Sequence, residues 1–129
     1  MRSLAIDTNI YVEFKKNNSN VIAIFQNVDY IGIDLTVIAE LLSGFKLGQK
    51  EKENKAEFNK FIATPRVHII EPDLETPEYY ALVVQQLKNK GKPIPTNDIW
   101  IAANAMRNGL SLFTFDKHFE NIDGLLLYN

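Results

Sequence analysis

The chain has 129 residues, 46% hydrophobic and 23% charged, which excludes an intrinsically disordered segment and allows the core of one compact unit spanning 1–129. It contains no cysteine, so disulfide frameworks, thiolate metal centres and cysteine nucleophiles are excluded, and the composition suits the cytoplasm. A net charge of −2 gives no overall field for nucleic acid, so any such contact must be local.

The apolar run before Asp7 is too short for a signal peptide or a membrane span, and residues 3–7 read as a buried strand closing on an acid. Two short helices follow over 9–16 and 20–26. Residues 30–35 form a second strand, after which Thr36 is placed to cap a helix running to about Leu47. Over 46–66, Lys46, Lys50, Lys52, Lys55, Lys60 and Arg66 meet only Glu51, Glu53 and Glu57. That mixture fits either the solvated face of a helix over 50–63 or a local basic patch. Residues 67–70 make a third strand, and Pro77 opens a helix to about Asn89. The loop 90–97, stiffened by Pro93 and Pro95, precedes a helix capped by Thr96 or Asn97 and running to Asn108. The Asn108-Gly109 and Asp123-Gly124 breaks introduce the last two strands, 111–115 and 125–127.

Near-continuous apolar strands separated by helices predict an α/β fold, a three-layer α/β/α sandwich with a mainly parallel five-stranded sheet. Such sheets bind ligands at the carboxyl ends of their strands. Asp7 ends the first strand and Asp116 follows the fourth, so parallel strands would bring both to one edge, although each also suits a turn or helix cap. Asp98 lies in the first turn of its helix, beside the core stripe of Ile99, Ala102, Ala103 and Met106, where capping alone accounts for an acid. Glu40 sits one turn into the second strand's helix, off the stripe of Val37, Ile38, Leu41, Leu42 and Phe45. It reads either as a solvent-facing helix residue or as a fourth acid over that edge. Two unit charges ~5 Å apart at an effective dielectric of ~20 repel by about 3 kcal/mol. A hard divalent cation with oxygen ligands, Mg²⁺ or Mn²⁺, would offset this.

The segments Leu4-Ala-Ile-Asp-Thr-Asn-Ile10, Thr36-Val-Ile-Ala-Glu-Leu-Leu42, Asn97-Asp-Ile-Trp-Ile-Ala-Ala103 and Thr114-Phe-Asp-Lys-His-Phe119, with Ile122-Asp-Gly-Leu125, occur in one order across nearly the whole chain. In this the sequence resembles the PIN-domain family, and within it the VapC-type toxins of toxin–antitoxin pairs. The resemblance implies a PIN-like sandwich and an acidic site on Asp7, Glu40, Asp98 and Asp116, with Asp7, Asp98 and Asp116 as metal ligands. Thr8, Asn9 and Thr114 match supporting polar positions. It also implies a Mg²⁺- or Mn²⁺-dependent endoribonuclease acting on tRNA, rRNA or mRNA, a cognate antitoxin that blocks the site, and a homodimer. Exposed Ile, Phe and Tyr residues on the early helices would serve the dimer or the antitoxin.

An acidic site must still receive a polyanion, and Lys15, Lys16, Lys46, Lys90 and Lys92 are candidate phosphate contacts as well as ordinary solubilising residues. His68 alternates within a strand and reads as structural, His118 is a candidate substrate contact, and Trp100 reads as packing. A rival enzyme class, phosphoryl transfer through an aspartyl-phosphate, needs a second acid that Asp7-Thr8-Asn9 lacks. A non-catalytic PIN-like module binding RNA or protein is the other alternative.

Overall fold

A computed structural model describes residues 1–128; the last residue of the expected 1–129 unit lies outside them. The elements run β1 (Ser3–Ile6), α1 (Thr8–Lys15), α2 (Ser19–Gln26), β2 (Tyr30–Asp34), α3 (Leu35–Leu47), α4 (Glu51–Ile62), β3 (Val67–Ile70), α5 (Thr76–Lys90), α6 (Thr96–Arg107), β4 (Ser111–Phe113) and a 3₁₀ turn (Lys117–Asn121). The sheet has the order β3-β2-β1-β4. Every pair is parallel, with Leu4 opposite Ile31, Ala5 opposite Leu112 and Ile33 opposite Ile69. Helices cover both sides of this α/β fold.

The sheet has four strands, not the expected five. Residues 125–127 contribute only an isolated parallel bridge, Leu112 to Leu127, because the segment leaves Gly124 at φ +85° and turns Leu126 outward at 63% exposure. A leucine triplet resembles a buried strand, but this one lays only alternate residues against β4.

Strands covered on both faces need no polar alternation, and Leu4, Ile6, Ile31, Ile33, Leu112 and Phe113 are all buried. Gly32 lies in the centre of β2 because a Cβ there would run into Ile70 Cδ1 and stand 3.0 Å from Leu110 Cδ1. The aromatic residues of the early helices largely turn inward. Tyr11 packs edge-on against Phe58 at 5.3 Å and Phe14 lies 5.0 Å from Phe25, so they join α1, α2 and α4. Tyr11, Phe25 and Phe58 are buried, which leaves less apolar surface on these helices than expected.

Helix starts also differ from expectation. Asp34, not Thr36, caps α3: its side chain accepts from Val37 N at 2.8 Å, which puts Thr36 inside the first turn. A carboxylate at the strand–helix junction reaches the third amide ahead directly, whereas Thr36 is already helical. Neither Thr96 nor Asn97 caps α6, whose first residue is Thr96 and whose cap position, Pro95, makes no side-chain cap bond. Among the described residues no helix is long and apolar enough to cross a membrane.

Candidate functional site

The parallel register puts the ends of β1, β2 and β4 at one edge, and each carries an acid: Asp34 closes β2, Asp7 follows β1 and Asp116 lies in the loop after β4. Asp7 is 5% exposed and serves as the cap of α1. Its Oδ1 accepts from Thr8 N at 2.6 Å and its Oδ2 from Thr114 Oγ1 at 2.7 Å. The Thr114 hydroxyl in turn accepts from Asp116 N at 3.0 Å, so one oxygen joins the acid after β1 to the loop after β4. Burial pushes the Asp7 carboxyl up; its hydrogen bonds oppose the shift, while Glu40 and Asp116 add to it.

Asp116 follows β4 after two intervening loop residues rather than directly, since the strand ends at Phe113. It caps the 3₁₀ turn by accepting from His118 N at 2.9 Å. Asp98, in the first turn of α6, accepts no hydrogen bond among the described residues, so the capping role that alone could explain it is not made. Its carboxyl is pushed up to about 6, first by burial and then by Asp7, Asp116 and Glu40. Glu40 is half-buried on α3 rather than turned to solvent. Its Oε1 takes the Thr8 hydroxyl at 2.5 Å, and its Oε2 lies 3.4 Å from Asn97 Nδ2.

The edge thus gathers Asp7, Thr8, Glu40, Asp98, Thr114 and Asp116. Asn9 is exposed and makes no side-chain hydrogen bond among the described residues. Ligand atoms of Asp98, Asp116 and His118 all lie within 4.8 Å of one another.

Sequence reasoning missed Asp34. It is 5% exposed, pushed up by burial with Glu40 and Asp7 adding, and held by Asn104 Nδ2 at 3.0 Å. An Asp closing a strand three residues before a buried Val is the cap signal that would have found it. Behind it, Asn104 Oδ1 is buried without a partner among the described residues.

The lysines are mostly engaged elsewhere. Lys15 pairs with Glu57 at 2.8 Å, Lys16 with Glu13 at 3.7 Å, Lys46 with Glu51 at 3.1 Å and Lys90 with Asp123 at 2.7 Å. Lys15 and Lys16 lie at the far end of α1, about 10 Å along its axis from Thr8. Lys92 makes no ion pair among the described residues. Arg66 donates to the carbonyls of Phe25 and Val28; of the basic residues within 46–66 only Lys46 is ion-paired among the described residues, and Lys50, Lys52, Lys55 and Lys60 form an exposed, solvated face. His68 stacks on Tyr30 at 4.2 Å and Trp100 packs against Tyr80 at a tilt of 39° and 4.4 Å, both packing contacts.

The acids impose a pH dependence. Asp98, at about 6, holds its proton more tightly in the folded chain than in the unfolded one, where it titrates near ~3.9. Cation-free protein should therefore lose stability as pH rises from about 4 to about 6, and the raised Asp7 and Asp34 act in the same direction. Asp73, held at about 2 by Arg107, has the opposite sign in a lower window: its stabilisation is complete above about 4 and is lost as pH falls toward 2. Melting curves in chelator should show the midpoint falling between about pH 4 and 6, and Asp98→Asn should flatten that fall. A flat wild-type profile would contradict the crowding.

A family model described as the PIN domain matches residues 4–125. The chain is 31% identical over 129 residues to Ribonuclease VapC2 of Rickettsia felis, covering 96% of this chain and 95% of that protein. It is 30% identical over 126 residues to Ribonuclease VapC1 of Haemophilus influenzae strain R2866, covering 93% and 92%. Among solved structures it is similar to VapBC2 from Rickettsia felis bound to a DNA fragment from its promoter, with a TM-score of 0.88, 28% identity and 98% of each chain covered.

Proposed function

The chain belongs to the PIN-domain family, and from that premise we propose that it is a VapC-type endoribonuclease, the toxin of a toxin–antitoxin pair, dependent on Mg²⁺ or Mn²⁺. The observation that carries this reading is the convergence of Asp7, Glu40, Asp98 and Asp116 on the carboxyl edge of the sheet. Relatives named as VapC ribonucleases support the activity, and a solved relative described as VapBC2 supports a cognate antitoxin as partner. A single unit acting in the cytoplasm as a homodimer completes the reading.

The donor set fits a hard cation. Among the described residues Asp98 has no competing donor, Asp116 Oδ2 accepts none, and each Asp7 oxygen keeps a lone pair beyond its one hydrogen bond. Asp7, Asp98 and Asp116 would hold the ion. When bound, Mg²⁺ or Mn²⁺ supplies charge neutralisation for the phosphate and lowers the pKa of water. Glu40, anchored through Thr8, orients the attacking water and accepts its proton. Water adds to phosphorus as the bond to the 3′ oxygen breaks, and the leaving 3′ oxygen takes up a proton from solvent, giving 5′-phosphate and 3′-hydroxyl ends. Thr114 keeps Asp7 and the Asp116 loop in fixed relation while this happens.

The test is incubation with tRNA and rRNA in Mg²⁺ or Mn²⁺, followed by end analysis. Cleavage that chelator abolishes, with 5′-phosphate products, is the expected result. RNA retained on the protein but uncut with either ion would favour a binding module and overturn the proposal.

A further inference from the structure

His118 has no structural duty for its ring. Its backbone N–H already closes the Asp116 cap, its side chain is 62% exposed, and the turn is anchored instead by Phe119, which is fully buried. A ring so placed is free to point into solvent, as Lys117 and Glu120 do. It folds back instead, with Nδ1 3.3 Å from Asp116 Oδ1. Adjacent donors in an octahedral shell with bonds of 2.0–2.1 Å stand about 3 Å apart. Asp98, reached from a different element, contributes an oxygen to the same set within 4.8 Å. Asp7 is not among these three and is more deeply buried, each of its oxygens keeping a lone pair beyond its one hydrogen bond.

We propose that His118 is a further ligand of the cation assigned above to Asp7, Asp98 and Asp116, and that its nitrogen tilts the site from Mg²⁺ toward a first-row transition ion such as Mn²⁺. Oxygen-only sites suit Mg²⁺, which gives up water reluctantly, whereas an imidazole ligand strengthens binding of transition ions more than of Mg²⁺. The inference rests on the acids forming a cation site, as proposed above, and adds the ligand that selects among cations.

The experiment uses the full chain without a histidine tag and Mn²⁺ as the probe, read by pulsed electron paramagnetic resonance for coupling to ¹⁴N. Expected are stoichiometric Mn²⁺ with one directly coordinated nitrogen, and loss of that coupling in His118→Gln. The chain has only one other histidine, His68, which is stacked on Tyr30, so loss in the variant assigns the signal. The same substitution should weaken Mn²⁺ binding by about 10-fold or more and change Mg²⁺ affinity far less, as measured by displacement of Mn²⁺. Because the ring is exposed, the variant should fold, which its melting curve verifies. Bound Mn²⁺ without nitrogen coupling, or coupling that persists in His118→Gln, overturns the role of His118 while leaving the acidic site standing; His118 would then be only an ion-pair partner of Asp116. Failure of Mn²⁺ to bind stoichiometrically overturns the acidic site itself, and the ligand role with it.

Discussion

Asp7→Asn should reduce RNA cleavage by ~10³-fold or more, about 4 kcal/mol of transition-state stabilisation, while the cation-free protein melts at the same temperature as wild type or higher. The two outcomes share a cause. Asparagine keeps an oxygen for Thr8 N and presents an amide to Thr114, whose hydroxyl can rotate to accept it, so both contacts survive. What disappears is a buried negative charge that Asp116 and Glu40 oppose. Wild-type protein should gain more melting temperature from millimolar Mg²⁺ or Mn²⁺ than the variant does. Strong unfolding by this one substitution would make Asp7 a structural cap rather than a reactive group.

Phe119→Ala carries the largest expected effect on stability. The ring is fully buried under the 3₁₀ turn, and truncating such a side chain costs about 3–5 kcal/mol, a midpoint shift of roughly 10–20 °C in a domain of this size. Phe58→Ala, buried in the aromatic cluster on α4, should cost a similar amount. The pair differ in activity when assayed below their midpoints: Phe119 supports the turn carrying Asp116 and His118, so its loss should weaken Mn²⁺ binding and cleavage, whereas the Phe58 variant should cut normally. Equal activity in both would show that the turn holds its acids without its anchor.

How far the site could be read from the sequence depended on how local its causes were. The positions of Asp7 after β1 and of Asp98 in the first turn of α6 are legible because a strand end and a helix's first turn are set by neighbouring residues. The link from Thr8 to Glu40 spans 32 positions and exists only through sheet order; no periodicity announces it. Asp34 was overlooked because it reads as the last residue of an apolar strand while Thr36 offers a competing cap. The extra strand at 125–127 failed for the reverse reason: its leucines are apolar, but pairing is decided by the exit from Gly124. His118 drew notice as a substrate contact, and only the fold of the turn brings its ring back to Asp116.

The hydrogen bond from Thr114 to Asp7 closes a separation of 107 residues. Contacts of such high order form late, after the intervening chain has condensed. A ribosome-bound nascent chain therefore carries Asp7 long before it carries the hydroxyl that positions it or the partner acid beyond. The acid set on which the proposed activity rests is incomplete until residues 114–116 have emerged and packed beside β1.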